Sequence, residues 1–248
     1  MPPAQAELLR LAEHELRTPL TSIRGYSELL ATGRAGALSE QQQRMAGLID
    51  LCAGKVYGII EGLIVLAGLG DGSFGLAVEP TPLAPLAARV AAEVATQARA
   101  AAVALDVAVP AELTIVADPR HLQRALAGLV RTAIDFAPAR GTVRLAARTP
   151  AGGGTQVVVT GPAGGPAAGE QLELYDRCLR ADAGPADLEG PGLGLAVAHA
   201  VVAHHGGTVT AGADGTGVAV TVTLPAAPPD DPACVVVRRR SVSGSPRG

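Results

Sequence analysis

Apolar residues recur at helical spacing along the first third of the chain. Leu9, Leu16, Leu20, Ile23 and Leu30 share one face of a helix predicted from about Ala4 to Leu30, while Glu13, Arg17, Arg24 and Glu28 fall elsewhere. Thr32-Gly33-Arg34-Ala35-Gly36 breaks it. Ser39-Glu40-Gln41-Gln42 then reads as a capping box, with Ser39 at the N-cap and Gln42 at the third position. Met45, Ile49, Cys52, Val56, Ile59, Leu63 and Leu66 follow at alternating spacings of four and three, a coiled-coil seam of about three heptads. Two such helices on a short loop make an antiparallel hairpin. Its stripe stays wet unless a second copy covers it, so a four-helix bundle in a homodimer is expected.

Gly68-Leu69-Gly70-Asp71-Gly72-Ser73 reads as a linker, and the pattern changes after it. An extended piece near Leu76–Glu79 precedes a helix from about Leu83 to Ala102 and strands at Ala104–Val109 and Leu113–Ala117. Asp118-Pro119 starts a helix to about Phe136, with proline in its first turn. Strands are predicted at Thr142–Thr149 and Thr155–Thr160, then an irregular stretch from Pro162 to Gly190. A helix from Gly192 to His205 stops at Gly206-Gly207, and strands at Thr208–Ala211 and Val218–Leu224 complete the sheet. The expected organisation is α+β: a helical hairpin over 1–70, a linker over 71–75, an α/β sandwich over 76–225, and a disordered tail over 226–248 rich in Pro, Ser and Arg.

Composition narrows the class. The 248 residues are 48% hydrophobic and 17% charged, too apolar to remain unfolded, yet the longest oily run, Gly62 to Gly70, is too short to cross a bilayer. Aromatics are 2% and Trp is absent, so the core must be built from Ala, Val, Leu and Ile. A net charge of −3 offers no field for nucleic acid. Cys52, Cys178 and Cys234 lie far apart, which argues against a disulfide framework or zinc site and for a reducing compartment. No charged-then-apolar leader opens the sequence, so a cytoplasmic location is expected, alone or as the soluble part of a membrane-bound sensor.

The sharpest chemistry is His14-Glu15-Leu16-Arg17-Thr18-Pro19-Leu20. His14 falls off the apolar face, Glu15 can orient or deprotonate its ring, and Thr18 lies one turn on, where a hydroxyl can position water. Pro19 bends the helix beside the histidine. An accessible imidazole of this kind is a phosphoryl acceptor, whereas a surface histidine without function is the commoner outcome for any lone residue. Thr18 in place of a second histidine excludes an H-E-x-x-H metalloprotease. Downstream, Gly192 and Gly194 open a helix whose free N–H groups suit phosphate, and the spacing is not that of a dinucleotide fold. His204 and His205 close that helix, where polar residues suit the carbonyl end. Arg177 and Arg180 border this region as candidate phosphate contacts, and Arg238-Arg239-Arg240 is a short basic run in the tail.

HELRTPLTSIRGYSELL, from His14 to Leu30, resembles the phosphoacceptor box of the sensor histidine kinases of two-component systems. Asp118-Pro119-Arg120-His121-Leu122 and the following Ala125–Pro138 resemble that family's N box, Val157–Pro166 its G1 box, Leu174-Tyr175-Asp176-Arg177-Cys178 its F box, and Gly190-Pro191-Gly192-Leu193-Gly194-Leu195 its G2 box. The resemblance implies a dimerisation hairpin joined to a Bergerat (GHKL-type) ATP-binding sandwich. It implies autophosphorylation of His14 from ATP with Mg2+, then transfer to an aspartate of a response-regulator receiver domain. With His14 so near Met1, either an unidentified sensor or input partner is expected or the chain is an excerpt of a longer one. The implied site is His14 as phosphoacceptor, Glu15 as acid/base and Thr18 for the phosphatase water. Its nucleotide residues are Gly128, Thr132, Asp135, Gly161, Gly165, Gly190, Gly192, Leu193, Gly194 and Leu195.

Departures from the family pattern weaken the nucleotide site. Gly128 and Thr132 stand where the family has asparagines, Thr132 at the magnesium-ligand position, with Asp135 one turn further. The aspartate that accepts from the adenine amino group aligns with Gly161, and the family's usual threonine near the last strand aligns with Val218. Losing that aspartate alone weakens nucleotide binding about 10- to 100-fold. Two alternatives therefore stand beside the kinase: a histidine phosphotransferase or phosphatase, and a pseudokinase scaffold that binds a response regulator without ATP.

Overall fold

The computed structural model describes residues 15, 18–23, 25–27, 29–30, 32–34, 36–70, 76–162, 172–173, 175, 177–178, 192–213 and 217–226, with the side chains of 51, 55, 57, 61 and 63–70 excepted. The predicted linker at 71–75 and the tail beyond 226 lie outside these residues. The first helix, α1, is helical wherever it is described between 15 and 30. The expected capping box forms before α2 (Glu40–Gly70): Ser39 N–H donates to Gln42 Oε1 at 2.9 Å and Gln42 N–H to Ser39 Oγ at 3.3 Å. α2 continues through Gly68-Leu69-Gly70, which corrects the linker reading of those residues. Glycine costs a helix about 1 kcal/mol without forbidding it.

Three faces of α2 have different surroundings. Ala46 and Ala53 are buried, as are Leu20 and Ser27 on α1, and each pair is seven residues apart, a heptad spacing. The predicted seam is instead open: Met45, Ile49, Val56 and Ile59 stay 46–52% exposed, and Cys52 is exposed. Leu63 and Leu66 fall among the side chains outside the description. On the third face, a Cβ built on Gly58 would lie 3.8 Å from Arg131 Nη1, and one on Gly62 would come within 3.1 Å of Leu193 Cγ and Val197 Cγ2. Bare backbone on α2 thus seats the second unit.

That unit is a sandwich of helices on a mixed sheet. The helices are α3 (Leu83–Ala100), α4 (Pro119–Phe136) and α5 (Gly192–His204). β2 (Ala104–Ala108), β4 (Thr142–Arg148), β5 (Thr155–Pro162), β7 (Gly217–Leu224) and β6 (Thr208–Ala213) lie in that order, with β2–β4 parallel and the other pairs antiparallel. Alternate residues point to the helices: Val143, Leu145 and Ala147 from β4, Val157 and Val159 from β5, Val218, Val220, Val222 and Leu224 from β7. They form one core with Leu86, Val90, Leu122, Leu126, Leu129, Leu195 and Val201 of the helices.

β1 (Glu79–Pro82) pairs only with β3 (Thr114–Ala117), antiparallel. It lies downstream of the extended piece expected at Leu76–Glu79. Pro80 and Pro82 cannot donate to a ladder, but a strand with one neighbour tolerates them, and Thr81 Oγ1 donates to Ala117 O at 3.2 Å. Leu76 is fully buried ahead of it. No helix among the described residues is long and apolar enough to cross a membrane.

Asp118 ties the unit together at the start of α4. Its Oδ1 accepts the N–H groups of Arg120 and His121 at 3.0 and 3.1 Å, its Oδ2 accepts Ala77 N–H at 2.8 Å, and His121 Nδ1 lies 3.0 Å from Oδ2. Burial alone would raise this carboxyl's pKa, but the His121 side chain and backbone and the Ala77 N–H outweigh it and hold the carboxyl well below the usual carboxylate range. Asp118→Ala should therefore lower stability by about 2 kcal/mol in urea unfolding at neutral pH. A group depressed in the folded state stabilises above its unfolded pKa, so the gap should close as pH falls below about 3.9.

Candidate functional site

α4 and α5 run antiparallel and meet backbone to backbone. A Cβ on Gly128 would lie 3.0 Å from Gly194 O, and one on Gly194 would lie 3.2 Å from Gly128 O. The two glycines, which the sequence assigns to the N and G2 boxes, thus form one helix crossing. An asparagine at 128 would collide with the α5 backbone, so the departure at this position is matched by the packing.

Thr132, one turn on, is buried, and its Oγ1 donates to Gly128 O at 3.0 Å. Asp135 is exposed on the side of α3, where its Oδ1 accepts from Gln97 Nε2 at 2.7 Å. These two candidate oxygens face different ways. Among the described residues no three His, Cys, Asp or Glu side chains are grouped to hold a metal. Among the described residues, Thr132 and Asp135 therefore do not converge on one site for the magnesium ion that the resemblance implies.

ATP fits better at its phosphate end than at its base. α5 begins at Gly192, and Gly192, Leu193 and Leu195 are buried while Gly194 touches α4, so the N–H groups of the first turn are held on a fixed helix. At the other end, Gly161 lies directly opposite Val218 in the β5–β7 ladder. The position that the resemblance assigns to adenine recognition and the one where the family's usual threonine aligns are thus cross-strand partners, and neither carries a polar side chain. A Cβ on Gly161 would sit 3.5 Å from Ala133, ordinary contact, so a Cβ has room at this buried position.

Tyr175 and Cys178 of the F-box segment are buried, and the Tyr175 ring stacks against Phe136 with centroids 6.3 Å apart. Burial first, then the charges of Asp135 and Cys178, pushes the Tyr175 phenol above its ordinary range. Arg177 is exposed. His14, Gly164, Gly165, Leu174, Asp176, Arg180, Gly190 and the Arg238–Arg240 run lie outside the described residues. Glu15 and Thr18 are exposed on α1. Nearer the turn, Ser22, Gly25, Tyr26, Leu29, Thr32 and Arg34 line an open groove of about 470 Å3.

One residue is more deeply engaged than its sequence context suggests. His205, read as a polar helix end, is 3% exposed, and its Nε2 accepts Asp118 N–H at 2.9 Å. The partner lies 87 residues away, and only the doubled His204-His205 before Gly206 marked the place in the sequence.

Comparison with known proteins agrees with this geometry. Residues 4–72 match the family model of the His Kinase A (phospho-acceptor) domain. Residues 117–228 match that of the histidine kinase-, DNA gyrase B-, and HSP90-like ATPases. The sensor protein DivL of Caulobacter vibrioides is 31% identical over 229 residues, covering 90% of this chain and 29% of DivL. The signal transduction histidine-protein kinase/phosphatase MprB of Mycobacterium ulcerans is 33% identical over 240 residues, covering 92% of this chain and 45% of MprB. The chain thus spans less than half the length of these relatives. Full-length ShkA, crystallised in complex with AMPPNP, superposes with a TM-score of 0.59 at 27% identity, over 90% of this chain and 46% of that one. The Acinetobacter baumannii histidine kinase AdeS shares the fold with a TM-score of 0.56 at 20% identity, over 86% and 98%.

Two substitutions separate the lost features. Gly161→Asp restores an acceptor where a Cβ has room, and should tighten ATP binding about tenfold by calorimetry. Gly128→Asn should instead lower the melting temperature by several degrees, because it wedges α4 from α5.

Proposed function

The chain belongs to the sensor histidine kinases of two-component systems, and on that premise we propose that it phosphorylates His14 from ATP and passes the group to a response regulator. In the first step an imidazole nitrogen of His14 attacks the γ-phosphorus. The bond to the ADP oxygen breaks, an N–P bond forms, and Glu15 takes or orients the ring proton. The phosphates rest on the first turn of α5, at Gly192, Leu193, Gly194 and Leu195, flanked in sequence by Gly190 and Gly165. In the second step a receiver-domain aspartate attacks the phosphorus, the N–P bond breaks, and an acyl phosphate forms on the regulator. Thr18 positions the water that later removes it. The groove beside Tyr26 and Leu29 is the partner's seat on α1.

The observation that carries this reading is the pairing of the two units in one chain, the phosphoacceptor hairpin matched over 4–72 and the ATPase unit over 117–228. We divide the chain accordingly into the hairpin over 1–70, a junction over 71–75, the ATP-binding unit over 76–225 and a tail over 226–248. Autokinase activity is weak on this proposal. Phosphoryl transfer depends on charge stabilisation at the γ-phosphate, and Gly128, Thr132 and Gly161 supply neither metal nor base contacts. The closed Gly128–Gly194 crossing favours a second reading, in which the ATPase unit shapes the partner surface and His14 takes phosphoryl groups from a phosphorylated regulator.

Incubation with γ-labelled ATP should put slow, acid-labile label on the natural chain and none on His14→Gln. Equal labelling of both would remove His14 from the mechanism. Label that appears only from a phosphorylated regulator would select the second reading. The hairpin should make the protein a homodimer, with the open face of α2 covered by a second copy. Ile59→Asp would bury an unpaired charge there and should yield monomers by light scattering.

A further inference from the structure

His205 joins the two helices that frame the nucleotide face. Asp118 N–H donates to its Nε2 at 2.9 Å, and its Nδ1 lies 2.8 Å from Val201 O. The first bond requires a lone pair on Nε2, so the proton sits on Nδ1 and is donated to the Val201 carbonyl, one turn back along α5. Both ring nitrogens are used, and the residue is almost wholly enclosed. The imidazole therefore has one tautomer and one charge state that satisfy its surroundings.

The position of this contact gives it leverage. Asp118 caps the start of α4 opposite His205 at the end of α5, and ten residues further along α4 Gly128 meets Gly194. At 1.5 Å per residue the two contacts are about 15 Å apart. The glycine crossing fixes how closely the helices approach, but backbone against backbone carries little directional information. The hydrogen bond at the far end is directional, and Gly206, with φ at 71°, turns the chain away immediately beyond it. Asp118 is itself held by Ala77, Arg120 and His121, so the imidazole is anchored to a fixed post.

We propose that His205 is a positioning residue whose neutral imidazole sets the register of α5 on α4, and thereby the place of the phosphate-binding turn at Gly192–Leu195. The proposal rests on the reading of that turn as the phosphate site. Protonation of Nε2 would set N–H against N–H and break the register contact. The ionisable groups facing the ring are Asp118 and His121 from α4 and His204 from α5. Burial first, then His121 and His204, disfavours the imidazolium against the pull of the Val201 carbonyl and Asp118, which holds the ring's pKa below the ordinary histidine range. A histidine depressed in this way favours the folded arrangement above about pH 6.5 and loses that contribution as the pH falls.

The test uses the full chain, natural and with His205→Phe or His205→Gln. Phenylalanine keeps the ring volume without an acceptor, and glutamine returns an acceptor oxygen toward Asp118. Ring 15N spectra of the natural chain should show His205 as the Nδ1–H tautomer, persisting at pH 6. The opposite tautomer, or an imidazolium at pH 6.5 with the Asp118 amide unchanged, overturns the proposal and needs no variant to fold. Hydrogen exchange of the Asp118 amide should be about tenfold faster in His205→Phe and near natural in His205→Gln. ATP affinity should follow the same order, about tenfold weaker in His205→Phe. Natural exchange rates and natural affinity in His205→Phe would overturn the proposal. If the natural chain binds no ATP, the phosphate-site reading fails, while the tautomer and exchange results still decide the role of His205.

Discussion

Almost everything in the ATPase unit follows from how closely α4 and α5 approach each other. A core with so few aromatic rings must fill its volume with Ala, Val and Leu, and small side chains pack densely only if the elements themselves come close. Gly128 and Gly194 remove the last side-chain spacer, so the two helices touch through their backbones. The sheet then receives α4 and α5 as one slab, and the valines of β5 and β7 interlock beneath it. The same closeness takes the space that side-chain oxygens would need on this face of α4.

Most elements were legible because their signals are local. The capping box at Ser39, the aspartate–proline start of α4 and the glycine stop after α5 each solve a hydrogen-bonding problem within a few residues. Alternation located β4, β5 and β7 to within about two residues. β1 was misplaced because its two prolines disqualify a central strand and become acceptable only when the strand has a single partner, which is a tertiary fact. The Gly68–Gly70 run reads as a linker because composition records the cost of glycine in a helix but not the length of the helix that carries it.

The candidate site was legible to a different degree. The type of each residue is evident in the motif, and the ladder shows Gly161 and Val218, two of its departures, to be cross-strand partners. The direction of a side chain was not legible. Thr132 and Asp135 lie three residues apart on one helix, yet one hydroxyl turns back to its own carbonyl and one carboxylate turns to Gln97. The tertiary role of His205 is hidden in the sequence for a similar reason. Its partner is a backbone N–H, which every residue but proline carries, so no residue pattern announces it.

The three-sided surroundings of α2 bear on how such a chain can diverge. Its Ala46 and Ala53 are buried, its Gly58 and Gly62 fit Arg131, Leu193 and Val197, and its open stripe of Met45, Ile49, Val56 and Ile59 is apolar enough to demand a cover. Toward the second unit the helix is constrained at Gly58 and Gly62, whereas Glu40 to Arg44 at its start are exposed. Any larger side chain at Gly62 would be felt at once by α5, although it lies in a different unit. Inherited change should therefore accumulate more slowly at Gly58 and Gly62 than at Gly47 and Gly54 of the same helix, where an added Cβ would meet nothing within 4 Å.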